Sequence, residues 1–160
     1  MESALSPATT LDRTLIDLIT LAMLAKHAQW NLVGPTFRSM RLELGELADL
    51  ARRSGDEVAE RASTLGHQPD GRPETVAHDN ALPTIPSGIM RDDVAVNAFG
   101  TILDVVVLHL HQAIDVVADD PVTRELLTAV AGSVEEKAWM IRSHGVPAGP
   151  GPLHGSTFEL

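Results

Sequence analysis

The sequence predicts an all-α chain: a four-helix bundle with one long crossover between its second and third helices, the crossover carrying a short helix of its own. Three observations predict it. Apolar residues recur at three- and four-residue steps through four long stretches, the spacing of an amphipathic helix. Glycine and proline concentrate in two places, 66–88 and 145–155, where helices cannot continue. No strand pattern competes with the helical one.

Each element follows in order. Ser6-Pro7 is a cap and first-turn pair, so the first helix opens there and runs to about Val33, stopped by Gly34-Pro35. Its stripe is Leu11, Leu15, Leu18, Ala22, Ala25 and Gln29. Ile16, Ile19, Leu21, Met23 and Leu24 spread apolar groups over most of the remaining surface. A helix hydrophobic nearly all round is buried on more than one side, which in a chain of 160 residues points to a subunit interface. The second helix spans about Thr36 to Leu65, with Phe37, Met40, Leu44, Leu47, Ala51, Val58, Ala62 and Leu65 on its apolar side and Gly66 at its stop. It contains Gly45 and Gly55, each costing up to ~1 kcal/mol relative to alanine. The crossover follows, and Pro73 ahead of Glu74-Thr75-Val76-Ala77 opens its short helix. A third long helix covers about Arg91 to Ala118. The fourth opens at Asp119-Asp120-Pro121, an acidic cap followed by proline, and ends at about His144 before Gly145. Residues 1–160 are expected to form a single domain, with 1–6 and 146–160 as flexible tails. A crossover of this length lets the middle pair of helices run parallel, which is the ferritin-like topology.

Composition removes several function classes. The chain has no cysteine, so disulfides, thiolate metal sites and cysteine nucleophiles are excluded. Mean hydropathy is near zero, and no uninterrupted apolar run reaches the roughly 18 residues of a membrane span. The segment MESALSPATT lacks a basic n-region; a cytoplasmic location and no membrane partner are expected. Net charge is −10, and the only lysines are Lys26 and Lys137. Nucleic-acid affinity rests on clustered Lys and Arg that displace counterions, and residues 1–10 and 145–160 carry neither. Direct DNA binding is therefore not expected without a divalent-cation bridge.

Candidate chemistry lies in a few clusters. Asp56 and Glu60 stand one turn apart on one helix face, able to offer oxygen ligands to a hard cation; the bland alternative is a solvated acidic face flanked by Arg53 and Arg61. His109 and His111, two apart, project about 200° from each other, so they cannot share an ion within one chain, and His111 groups with Asp104 and Asp115 on a polar face. His27, among Ile16, Met23 and Trp30, reads as a packing or interface histidine. Asp119, Asp120 and Glu125 crowd the start of the last helix, serving its dipole or guiding cations into a pore. No ExxH pair, HExxH, GxGxxG or P-loop is present, so a di-iron site within one bundle is not supported.

The order of QWNLVGPTF, DEVAERASTLGHQPDG, ETVAHDNALPTIPSG, DDPVTRELL and EEKAWMIRSHG resembles the Dps family, DNA-binding proteins from starved cells, over about residues 10–145. The resemblance implies a ferritin-superfamily subunit of a hollow homo-dodecamer that oxidises Fe(II), usually with hydrogen peroxide, and stores a ferric mineral. It implies a ferroxidase site shared between two subunits. One subunit supplies a histidine before the Trp-Asn, then a second histidine and an aspartate on the next helix. The other supplies an aspartate and a glutamate four residues apart. Asp56 and Glu60 match the last two. Gln29, Arg41 and Gly45 stand where the family has His, His and Asp. A glutamine carbonyl is a poor substitute for imidazole at iron, and an arginine brings a fixed positive charge. The expectation is a cage subunit for iron storage and stress protection with an impaired ferroxidase centre, binding Fe2+/Fe3+ there weakly or not at all. Arg41 would pair with Asp56 or Glu60 of a neighbouring subunit, and the subunit would form the cage either alone or together with an active paralogue. The alternatives are a ferroxidase using other ligands, such as Glu57 or His27, and a purely structural or interaction cage.

Overall fold

A computed structural model describes residues 6–145; the expected tails 1–6 and 146–160 lie outside them save for Ser6. That residue belongs to the first helix: its Oγ accepts the backbone N–H of Thr9 at 3.2 Å, a side-chain N-cap. The elements are α1 (Pro7–Asn31), β1 (Leu32–Val33), α2 (Phe37–Thr64), α3 (Pro73–Asp79), β2 (Met90–Arg91), α4 (Asp92–Val116) and α5 (Pro121–Ser143). The four long helices and the short crossover helix α3 fall within about two residues of the positions their caps and breakers predict.

Two short strands join the helices and leave the fold all-α. Leu32 and Val33 pair in parallel with Met90 and Arg91, a contact too brief to leave a sequence pattern. It fixes the topology nonetheless. The end of α1 and the start of α4 sit at the same end of the bundle, so α4 runs antiparallel to α1 and parallel to α2. The crossover therefore returns along the length of α2, about 40 Å of helix.

Asp92 locks this corner. Its Oδ2 accepts the backbone N–H of Thr36 at 2.6 Å and the Thr36 hydroxyl at 2.7 Å. Those bonds hold its carboxyl below the ordinary carboxylate range, although the side chain is buried. Gly34 turns the chain beside it with φ +130°, and a Cβ there would sit 2.3 Å from Asp92 Oδ1. Only glycine fits both the angle and the gap.

The helices pack as two hairpins, α1 on α2 and α4 on α5, joined by α1 against α4 and α2 against α5. The predicted α1 stripe is buried from Leu11 to Ala25, with Gln29 half-buried at its end. On α2, Met40, Leu44, Leu47, Ala51, Val58 and Ala62 enter the core, whereas Phe37 and Leu65 stay exposed at the two ends. Helix α4 departs from expectation in another way: by length and composition alone it could cross a membrane. Polar residues interrupt its apolar run without outweighing it, and Phe99, Ile102, Leu103, Val106 and Leu110 pack it into the bundle core.

One buried polar pair was not visible in the sequence. Asp17, in the apolar run of α1, lies 2.7 Å from His109 Nδ1 on α4. Burial pushes the Asp17 carboxyl above its ordinary value, and the contact with His109 works against that.

Candidate functional site

The positions that the resemblance marks as replaced converge at the junction of α1 and α2. Gln29 Nε2 donates to the backbone carbonyl of Arg41 at 2.9 Å. Arg41 Nη1 donates back to the carbonyl of Gln29 at 2.9 Å. The Gln29 Oε1 accepts from the Lys26 ammonium. Both ends of the amide are therefore engaged inside the chain, and its oxygen is turned to a cation rather than presented to a metal. Gly45 completes the unit: a Cβ there would meet Gln29 Nε2 at 2.5 Å. The glutamine thus fills the space that an aspartate at 45 would occupy. Arg41 is exposed, its guanidinium 6.0 Å from the centroid of the Phe37 ring, at the edge of cation–π range.

The side chains at this junction offer few donors to a metal. A metal site needs several unprotonated oxygen, nitrogen or sulfur donors; here stand an engaged amide, a guanidinium, a lysine ammonium and a glycine. Among the described residues no group of three His, Asp or Glu side chains converges on a possible ion site within the chain.

Asp56 and Glu60 lie elsewhere on α2, both exposed. Among the described residues neither makes an ion pair with the flanking Arg53 or Arg61. Arg61 turns to α5, where its Nη2 lies 2.9 Å from Asp120 Oδ2 and its Nε donates to Thr123 Oγ1 at 2.8 Å. Among the described residues, Asp56, Glu60 and Arg53 make no ion pair with one another. Asp56 stands on the wall of a groove of about 350 Å³ between α1, α2 and the crossover, with Leu15, Ile19, Ala22, Met23 and Ala59 as its apolar lining.

The acidic group at the start of α5 divides. Asp120 is the N-cap: its Oδ1 accepts the backbone N–H of Thr123 at 3.1 Å. Its bonds to Thr123 and then Arg61 lower its pKa from 3.8 to about 2. Asp119 and Glu125 remain exposed, so a cation path would rest on those two rather than on all three. The histidines behave as packing and surface groups. His27 Nε2 lies 3.3 Å from the carbonyl oxygen of Pro86, and His111 Nε2 lies 2.8 Å from Glu135 Oε1. Asp104 pairs with Arg142 instead of joining His111. Glu57 is exposed.

Sequence reasoning also missed the Lys137 node. This half-buried lysine of α5 donates to Glu43 Oε2 at 3.1 Å and to Glu46 on α2. Burial opposes its charge, but the two carboxylates prevail and raise its pKa. A lone lysine in a helical stripe gives no sign of which acids it will meet.

The fold and these residues can be set beside known proteins. The ferritin-like domain model matches residues 8–145. The chain is 33% identical over 132 residues to the DNA protection during starvation protein of Mycolicibacterium smegmatis, spanning 81% of this chain and 71% of that protein. It is 33% identical over 144 residues to the fine tangled pili major subunit of Haemophilus ducreyi, spanning 86% and 73%. The solved structure of Dps92 from Deinococcus radiodurans matches with a TM-score of 0.84 at 30% identity, covering 90% of this chain and 89% of that one. The chain belongs to the ferritin-like family and, within it, to the Dps proteins.

Proposed function

We propose that this chain is a cage-forming subunit for iron storage and stress protection whose own ferroxidase centre is impaired. Family membership supports the cage, the iron cargo and the protective role. The interlock of Gln29, Arg41, Gly45 and Lys26 carries the impairment, since a spent amide, a guanidinium and a glycine stand in place of three expected donors, with the Lys26 ammonium beside them. Asp56 and Glu60 remain as two carboxylates without the partners that would complete a site. The assembly is a homo-oligomer, a dodecamer by family resemblance, in the cytoplasm. Asp119 and Glu125 are the carboxylates placed to attract cations. Oxidised iron reaches the store of the homo-oligomer by slow unassisted oxidation; an active paralogue would supply it only in a mixed cage.

The test is peroxide-driven Fe(II) oxidation, followed by ferric absorbance in the assembled protein. The natural protein is expected to track a protein-free blank. A variant carrying Gln29→His, Arg41→His and Gly45→Asp together is expected to oxidise Fe(II) at least tenfold faster. A fast natural protein would overturn the reading and direct attention to Glu57 and His27; loss of that activity on changing Asp56 and Glu60 would place it at the family site.

The name of the Haemophilus ducreyi relative, a pilus subunit, supports a second reading: a purely structural assembly. Failure to take up iron by an intact cage would favour it.

A further inference from the structure

Asp17 interrupts the apolar run of α1. It is buried, between the core residues Ile16 and Leu18. A carboxylate in such a place is costly unless an opposite charge and a hydrogen bond meet it. His109 of α4 is the one residue that offers both, with its Nδ1 2.7 Å from Asp17 Oδ2. A histidine carries charge only while it is protonated. The pair is therefore balanced while it holds one proton, on the ring as an ion pair or on the carboxyl as a neutral hydrogen bond. Without that proton, a bare carboxylate is left buried against a neutral ring.

The surroundings offer no substitute cation at close range. The charged groups that act on Asp17 are His109 and, on its own helix, Arg13. Arg13 is exposed, and among the described residues the salt bridge of Asp17 is to His109 alone. Among the described residues α2, α3 and α5 set no charged group against Asp17. His111, two residues on, pairs with Glu135 and takes no part. A cavity of about 20 Å³ beside the pair is lined by Thr10, Arg13, Thr14, Asp17, His109 and Gln112. That is room for about one water. The Thr10 hydroxyl, buried and without a partner among the described residues, would hold it. A proton can thus reach the pair without the helices parting.

We propose that Asp17 and His109 form a proton-operated lock on the seam between α1 and α4, closed while the pair shares a proton and loosened as rising pH removes it. The direction agrees with the setting of Asp17. Burial pushes its carboxyl up, so the folded chain holds the proton more tightly than the unfolded chain. Such a group contributes stability that is present at low pH and lost as pH rises. The α1–α4 seam is one of two that join the helical hairpins; the other is α2 on α5. That second seam is tied by Arg61 to Asp120 and by Lys137 to Glu43 and Glu46. Asp120 is held down to about 2 and Lys137 is pushed up, so both stay charged through neutral pH. Loosening is therefore confined to the α1–α4 side. The lock lies within one chain and needs no iron, so its test and the oxidation assay fail separately.

The first experiment is hydrogen exchange of the natural protein in chelator, read as protection factors so that the intrinsic pH dependence of exchange is removed. The pH runs from about 5 to about 9, spanning the range in which histidine pairs titrate. Protection around residues 10–17 and 106–113 is expected to fall about tenfold or more, while the segments of α2 and α5 that face each other keep theirs. Melting temperature over the same range then tests the two groups. Asp17→Asn keeps a hydrogen bond to the ring without a titrating carboxyl, and is expected to flatten the loss of stability toward high pH. His109→Gln leaves the carboxylate without its cation, and is expected to move that loss to lower pH. Circular dichroism confirms that each variant is helical. Protection that does not change with pH, or that falls equally at both seams, would overturn the proposal. So would an Asp17→Asn variant displaced by the same amount at every pH, which is what packing alone would give.

Discussion

Gln29 and Gly45 are one feature rather than two. A helical glycine costs about 1 kcal/mol relative to alanine, so Gly45→Ala should be a gain. The added Cβ, however, would meet Gln29 Nε2 at 2.5 Å and push the amide off the Arg41 carbonyl, a hydrogen bond worth about 1 kcal/mol. The two effects are of equal size. Gly45→Ala is therefore expected to be close to neutral in the natural background and stabilising by about 1 kcal/mol in a Gln29→Ala background. Thermal and urea melting of the natural protein and the three variants measure the difference. Full stabilisation in the natural background would mean that the amide has somewhere else to go and that the interlock does not hold it in place. This coupling was partly legible in sequence: Gln29, Arg41 and Gly45 could be singled out as replaced positions, but nothing in their order shows that Gln29 and Arg41 bond each other's backbone carbonyls.

At the scale of elements, the helix ends were readable because their chemistry is local. Ser6-Pro7, Asp120-Pro121 and Gly66 act on the backbone within a few residues, and the helices begin and end beside them. What was illegible depends on residues far apart in the chain. The β1–β2 pair joins residues separated by the whole of α2, and Asp92 caps α2 from the start of α4. Arg61 reaches from α2 to the cap of α5, which removes it from Asp56 and Glu60. That last tie makes a pH prediction. The Asp120 pKa falls from 3.8 to about 2 in the folded chain, so between those values the unfolded chain binds the extra proton. Stability from this group is complete above the ordinary carboxylate pKa and is lost as pH falls toward 2. Asp120→Asn is expected to flatten the acid limb of the melting-temperature profile between pH 4 and pH 2, by removing that proton uptake. An unchanged limb would show that other carboxylates, Asp92 first among them, carry the acid sensitivity.

For the whole molecule the governing quantity is charge. Each chain carries −10 with few lysines, and assembly multiplies that charge on one particle. Affinity for DNA comes from counterions released as Lys and Arg displace them from phosphate, and it falls steeply with salt. Four of the ten arginines are committed to close carboxylates: Arg61 to Asp120, Arg72 to Asp70, Arg91 to Asp93 and Arg142 to Asp104. A paired guanidinium must give up its carboxylate before it can take a phosphate, and the freed carboxylate then faces the same polyanion. The assembled protein is therefore expected to leave the mobility of linear duplex DNA unchanged at about 50 mM salt in chelator. Millimolar magnesium should restore some retardation by bridging carboxylate to phosphate. Retardation in chelator that weakens steeply with salt would reveal a basic surface that binds phosphate directly. Protection under stress by this chain would then include contact with DNA; without such retardation it rests on holding iron.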